Sequence, residues 1–318
     1  MKLKNIFFAG LIAIIGLSGC DEVANPIKPT QLASILPTTP PAFIDSSVST
    51  GSSSYLQYKM LLEDCTGHLC TNCPTAAANA ETVLISPIGH QVVFMEDNVG
   101  FDAVPEDSGN GARPGAYSTD YRCMAGNKWC TDFKVNQFPW GMTNREGAPG
   151  STFVLYIANY VDSCNTIVGR NTPGGPAVTI DIHDSCWTSP RIIGATFKLH
   201  FYKTLAGGSG DSYLLQACIV EDSIEDWQVN NGVNDSTYWK RNTLRGTFDL
   251  VGTGITIPNT NAGTSWTSFQ TYDFTKGENG KAAGWNMAHC YIVAFVSAGA
   301  SNATSPYEVI QAEMIKME

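Results

Sequence analysis

Hydrophobic and polar positions change their pattern several times along the chain. From Ile6 to Gly19 no charge interrupts the sequence, and Lys2 and Lys4 precede the run. The run is too short for a stop-transfer span and has the size of a signal-peptide core. From Asp21 to Ser54 no apolar period survives. Pro26, Pro29, Pro37, Pro40 and Pro41 lead into Ser46-Ser47 and Gly51-Ser52-Ser53-Ser54, the composition of a tether. Periodicity begins at Tyr55. Tyr55–Leu62 ends as an apolar strand-like run, and TAAANAETVLIS after Pro74 has strong helix propensity. Thr152–Cys164 carries apolar residues at helical intervals, and Asn165–Pro176 reads as a Gly/Pro linker. Alternation then takes over, with Val178, Ile180 and Ile182 on one face and Thr179, Asp181 and His183 on the other. Ala195–Tyr202, Tyr213–Glu221, Tyr238–Leu250, Trp266–Phe274 and Cys290–Ser297 continue in strand character between Gly, Asn and Ser turns. The pattern predicts an α/β domain over residues 55–165 and an all-β antiparallel sandwich over 176–318.

Composition narrows the function classes. The 318 residues suit two domains. Lys and Arg number 19 against 29 Asp and Glu, a net charge of −10, and no basic block occurs, which argues against nucleic acid as a partner. With 15% charged and 43% hydrophobic residues the chain is not disordered. Ten cysteines point to an oxidising compartment. Leu17-Ser18-Gly19-Cys20 resembles a bacterial lipobox. The resemblance implies that residues 1–19 are removed, that Cys20 carries a diacylglycerol, and that residues 20–54 tether the protein to a membrane through that lipid. Asp21 and Glu22 resemble surface-export signals of Bacteroidota lipoproteins; in other bacteria an aspartate here retains the protein at the inner membrane, so the leaflet stays open.

The sharp chemical signal is Glu63-Asp64-Cys65-Thr66-Gly67-His68-Leu69-Cys70-Thr71-Asn72-Cys73-Pro74. A strand here delivers a C-x-x-C pair to the start of a helix, with Pro74 in the first turn and Thr71 or Asn72 as cap. A helix N-terminus favours a thiolate, so Cys70 becomes the nucleophile and Cys73, one turn on, resolves the mixed disulfide. His68 can support that thiolate or sit on the surface. Three alternatives stand beside this reading. A structural disulfide closing four residues stabilises by only about 1.9 kcal/mol, against about 3 for fifteen. C-x4-C-x2-C matches a plant-type iron–sulfur spacing but has no fourth ligand, and an exported chain leaves unfolded, before a cluster is inserted. A zinc site from three thiols and His68 crowds its ligands into nine residues. Neither a metal nor any other cofactor is therefore assigned.

These residues resemble the thioredoxin fold. Asp64, six positions before Cys70, stands at the offset of that family's proton-relay aspartate. Val135-Asn136-Gln137-Phe138-Pro139-Trp140 looks like its cis-proline segment, which implies that Pro139 packs against the disulfide and pairs with substrate backbone. Leu69 replaces the family's tryptophan, Trp140 replaces the threonine after the proline, and an insertion near residues 96–130 lengthens the spacing. LLEDCTGHLCTNCPTAAANAE with FPWGMTNRE, LLQACIVEDSIEDWQ, TLRG and YEVIQAEMIK resembles the twenty-eight-kilodalton outer-membrane protein family of Bacteroidota over about residues 55–318. That implies a lipoprotein with a thioredoxin-like region and a β-rich C-terminal portion.

The remaining candidates are weaker. Cys123 and Cys130 could close a local disulfide of about 2.5 kcal/mol, and Cys164, Cys186, Cys218 and Cys290 look structural. Without Cys20 the count is odd, which leaves Cys65 as a buried unpaired thiol. Trp227, Trp239, Trp266 and Trp285 are candidates for ligand stacking or for core packing. Glu221-Asp222 and Glu225-Asp226 read as a solvated turn rather than a calcium site. The sequence lacks a nucleophile elbow and a P-loop. The resulting expectation is a lipid-anchored envelope protein of the outer membrane that exchanges thiols with protein disulfides. The rival is a non-enzymatic surface lipoprotein that binds a surface ligand and whose C-x-x-C is only oxidised.

Overall fold

In the computed structural model, residues 56–106, 111–147, 159–171, 173–188, 191–205, 212–302 and 306–317 are described. The leader, Cys20 and the tether lie outside them. Among the described residues no helix is long and apolar enough to cross a membrane.

The fold starts from two strands buried on both faces. β1 (Met60–Thr66) and β2 (Val92–Asn98) pair in parallel from Met60↔Val92 to Thr66↔Asn98. A parallel pair needs a crossover, which α1 (Cys73–Leu84) supplies. β3 (Trp140–Thr143) runs antiparallel along the other edge of β1. Side chains alternate between faces. Met60, Leu62, Val92 and Phe94 pack with Ala76, Ala80 and Val83 of α1 and with Tyr160, Cys164 and Ile167 of the helix Tyr160–Asn171. Leu61, Val93 and Met95 face the other way, onto Trp129 and Phe133 at the helix Met124–Asp132. In chain order these helices are α2 (Met124–Asp132) and α3 (Tyr160–Asn171).

The later half extends the same sheet. β4 (Val178–Thr188), β5 (Arg191–Phe201) and β6 (Tyr213–Glu221) are followed by β7 (Ile224–Asn230), β8 (Val233–Lys240) and β9 (Thr243–Thr247). β10 (Ile255–Thr256), β11 (Ser265–Asp273), β12 (Cys290–Ala298) and β13 (Val309–Lys316) complete the set. The main sheet runs β13-β12-β6-β9-β2-β1-β3, with β10 on β6. β2 and β9 join it in parallel at Glu96↔Thr243, and β6, β9, β12 and β13 are antiparallel neighbours. The three-stranded antiparallel sheet β11-β5-β4 packs Ile180, Ile193, Phe197 and Leu199 against Leu215, Ile219, Ile292 and Ala294 of the main sheet. The fold is thus mostly β, and a two-sheet sandwich does form in the later half. One of its layers is a mixed sheet continuous with the α/β strands, and Val220, Val293 and Phe295 share a cluster with Trp129 and Met95.

Several local expectations shift. The helix expected over 152–164 begins at Tyr160 and continues to Asn171, because Ile167 and Val168 prolong the buried stripe of Tyr160 and Cys164. Residues 151–158 lie outside the described ones. The run Tyr238–Leu250 divides into β8 and β9 at Arg241-Asn242, where Asn242 takes φ 44°. Glu225 and Asp226 belong to β7, and Tyr121 donates a hydrogen bond to Asp226 Oδ2 (2.5 Å). Cys123 and Cys130 are free thiols rather than a disulfide. Seven residues along a helix span about 10 Å, beyond the 7 Å or so that a disulfide bridges between Cα atoms. Cys123 instead caps α2, its sulfur accepting the Gly126 N–H (3.3 Å), and Cys130 donates to Val135 O (3.5 Å). Trp285 is buried and stacks on Tyr272, Trp266 packs partly against the same core, and Trp239 is exposed.

Candidate active site

β1 and β2 end side by side at Thr66 and Asn98, and the chain leaving β1 turns tightly before α1. The Cys70 N–H donates to Gly67 O (3.1 Å), and the Cys73 N–H to Cys70 O (3.4 Å). Gly67 is glycine of necessity, since a Cβ there would overlap the Asp102 carbonyl. α1 begins at Cys73, with Pro74 in the first turn, where no N–H partner is lost. Asn72 holds the cap position without a side-chain capping bond; its carbonyl accepts from Thr75 N–H (3.1 Å). Cys70 and Cys73 form a disulfide (S–S 1.99 Å, Cα–Cα 5.4 Å) at this helix N-terminus, whose dipole favours a sulfur anion once the bond opens.

Asp64 and Pro139 come to the same end of the sheet. Asp64 is fully buried on the α1 face of β1; Tyr160 OH donates to its Oδ1 (2.8 Å), and Oδ2 has no partner among the described residues. Burial first, then the charge of its register neighbour Glu96, holds its carboxyl well above the usual range. The Phe138–Pro139 bond is cis. Trp140, the next residue, pairs with Cys65, so Pro139 stands where the motif loop leaves β1. Cys65 is a buried free thiol on the opposite face, as expected, and burial raises its pKa. His68 is buried rather than exposed. Its Nε2 sits 3.0 Å from Val104 O, its ring 5.4 Å from Tyr117, and burial lowers its pKa, which disfavours the imidazolium that would support a Cys70 thiolate. Among the described residues no cluster of His, Cys, Asp or Glu could hold a metal ion.

The sequence reading missed the cover over this site. β7 and β8 form a hairpin whose two-residue turn, Asn231-Gly232, takes φ 49° and 82°, the left-handed pair that a tight hairpin demands. An Asn-Gly step between two short runs is the signal that could have found it. The Val229 N–H donates to His68 O (2.8 Å) and the Asn231 N–H to Thr71 O (3.1 Å). Gln228 Nε2 donates to Gly67 O (3.0 Å) and Cys70 O (3.2 Å). Opposite the hairpin, the Leu69 N–H reaches Asp102 O (2.9 Å). Enclosed this way, Cys70 is 3% and Cys73 2% exposed.

A small cavity, with room for about one water, lies behind Cys73. Thr66, Glu96 and Asn98 form its floor, Cys73 and Pro74 one wall, and Gln228, Tyr238 and Lys240 its roof. Lys240 is buried and donates to Gln228 Oε1 (2.9 Å). Burial pushes Glu96 up and Lys240 down; the Glu96 carboxylate accepts the Arg241 N–H and feels Lys240.

No family model matches the chain, and no curated protein matches it. Among solved structures, HBP35 of Porphyromonas gingivalis, a Bacteroidota protein, is similar with a TM-score of 0.60 at 17% identity, covering 82% of this chain and 76% of that one. At that identity the likeness is one of fold. A β-glucosidase from Kluyveromyces marxianus reaches a TM-score of 0.20 at 10% identity over 44% of this chain and 14% of that one, and carries no argument.

Proposed function

We propose that the chain is a thioredoxin-like, lipid-anchored envelope protein that exchanges electrons with protein thiols through Cys70 and Cys73. The observation that carries this reading is the four-residue disulfide at the N-terminus of α1, covered by a hairpin instead of by the core. So short a loop contributes little as a staple. From the oxidised form, a substrate thiolate attacks Cys70 Sγ, the Cys70–Cys73 bond breaks, and Cys73 leaves as the thiolate. A second substrate thiol then displaces Cys70, giving an oxidised substrate and a dithiol protein; the reverse sequence reduces a disulfide. A parallel β-α-β crossover and a cis-proline beside the motif loop support the thioredoxin likeness. Exposed Phe101, Val104 and Val233, on segments bonded to the motif loop or on the hairpin turn, offer apolar contact to a protein substrate. Exchange requires the turn of the hairpin to lift from His68 and Thr71.

The test uses the full chain in cells. Cys73→Ser should trap mixed disulfides on Cys70 in the membrane fraction, and Cys20→Ser should move the protein to the soluble fraction. Absence of adducts together with failure to reduce insulin sinks the exchange reading. The burial of both sulfurs favours a second reading, a surface-binding lipoprotein in which the disulfide is inert. A glycan and matrix-protein binding screen with the Cys70→Ser, Cys73→Ser double variant separates the two: unchanged binding supports the second, and no ligand removes it.

A further inference from the structure

Thiolate departure from a buried disulfide needs a proton at Cys73, and the structure limits where it comes from. Asp64, to which the thioredoxin resemblance gives this role, has Oδ1 bonded to Tyr160 and does not line the cavity at Cys73. Glu96, beside Asp64 on the adjacent strand, does line it, and Lys240 roofs it. Lys240 has no carboxylate at ion-pair distance among the described residues; its hydrogen-bond partner is Gln228, which in turn holds the Cys70 carbonyl. A buried ammonium held by one amide and by the faces of Tyr121 (5.2 Å) and Tyr238 (5.5 Å), with no paired carboxylate, is a costly structural element, since an apolar residue of similar size serves packing better.

We propose that Glu96, backed by Lys240 of the hairpin, is the proton donor and acceptor for Cys73, acting through the cavity between them. The inference rests on the exchange reading above. When a dithiol attacks Cys70, the S–S electron pair goes to Cys73 and the Glu96 carboxyl gives its proton to that sulfur, leaving a carboxylate opposite the Lys240 ammonium. In the reverse step, Glu96 takes the Cys73 proton as Cys73 attacks Cys70 of a mixed disulfide, and the substrate sulfur leaves with the electron pair. The hairpin geometry permits this while a substrate is bound. Lys240 pairs with Ile224 at the base of the hairpin, whereas the contacts over His68 and Thr71 come from the turn end. Lifting the turn takes Gln228 off the Cys70 carbonyl and exposes Cys70, while Lys240, paired at the base, stays at the cavity.

The groups facing Glu96 are consistent with a proton that moves near neutrality. β1 presents Asp64, whose carboxyl burial and the Glu96 charge hold well above the usual range. β8 presents Tyr238 and Lys240, and the Arg241 N–H follows. Asp222 is held by Arg241 and Asp226 by Tyr121, and Glu81 of α1 acts on Arg241. Together these leave Lys240 as the cation that a Glu96 carboxylate meets inside the cavity.

The experiment measures reduction of the native Cys70–Cys73 disulfide by dithiothreitol from about pH 6 to about pH 9, with alkylation and mass readout. The ratio of wild-type to variant rates cancels the titration of the reagent. For Glu96→Gln the ratio should reach about tenfold or more at the acid end and fall toward one at the alkaline end. Glu96→Asp should recover part of the loss, and Lys240→Met should move the midpoint of the profile upward, because the carboxylate loses its cation. A ratio that is constant with pH means a structural effect only and overturns the proposal. So does a pH-dependent ratio that appears with Asp64→Asn and not with Glu96→Gln. A wild-type disulfide that resists dithiothreitol until the protein unfolds defeats the exchange reading itself, a different result from either.

Discussion

At the scale of single residues, charge is buried on the α2 face of the main sheet with unequal compensation. Arg145 donates to Glu63 through Nε (2.8 Å) and Nη2 (2.5 Å), and its guanidinium lies 4.4 Å from the Trp129 ring and 4.8 Å from Phe133 and Phe295. That pair is satisfied. Asp97, on the same face, is buried with neither carboxyl oxygen bonded among the described residues. Burial and the nearby Glu63 raise its pKa well above the usual range, while Arg145 lowers it. A carboxyl raised on folding favours the protonated form, so its contribution to stability is present below the unfolded pKa and is lost as pH rises toward the folded one. The urea midpoint of the wild type should therefore fall between about pH 5 and about pH 8, more steeply than that of Asp97→Asn. Parallel curves would show that Asp97 is solvated or charged in the fold. The Cys70–Cys73 pair is legible from spacing alone, because a C-x-x-C is local, whereas Asp64 is singled out only by the resemblance to the thioredoxin fold. Glu96 and Asp97 are not legible, because their environments come from Lys240 and Arg145, which lie far from β2 along the chain.

At the scale of elements, the hairpin is the cover over the disulfide. β7 and β8 belong to neither large sheet and are held over the motif loop by two backbone bonds and the Gln228 amide. Removing a pair of such bonds costs about 1–2 kcal/mol, which raises an open population about 5- to 30-fold. Gln228→Ala should accelerate reduction of the disulfide by dithiothreitol by that factor at fixed pH, with native circular dichroism retained. An unchanged rate would mean that the hairpin does not gate the sulfurs. Its sequence carries acidic residues on β7 and polar ones on β8, so a hydrophobicity pattern reads a turn there. The Asn231-Gly232 step is the stronger signal because only a few residues accept two successive positive φ angles. α3 illustrates the opposite case. Its helical period is legible, but its boundary moves because burial of Ile167 and Val168 outweighs the nearby Gly and Pro.

At the scale of the whole molecule, the sheet joins what the sequence divides. The Gly/Pro stretch after α3 marks a change from helical period to alternation, which is a local property. Strand partnership is not local, and period-two patterns do not say which sheet a strand enters. β9 inserts beside β2, so a piece ending near residue 165 would expose the β2 edge and strip Val220, Leu244, Val293 and Phe295 from the cluster around Trp129. Each fully buried side chain of this kind contributes about 1.5–3 kcal/mol, and four together rival the 5–15 kcal/mol or so that holds a domain folded. The fragment 55–165 should therefore lack a cooperative urea transition, whereas the chain from residue 55 to 318 should unfold with coincident transitions by tryptophan fluorescence and far-ultraviolet circular dichroism. Independent folding of the fragment, with its disulfide as reducible as in the full chain, would mean that the α/β strands carry their own core. The hairpin would then be an accessory to the site rather than a part of it.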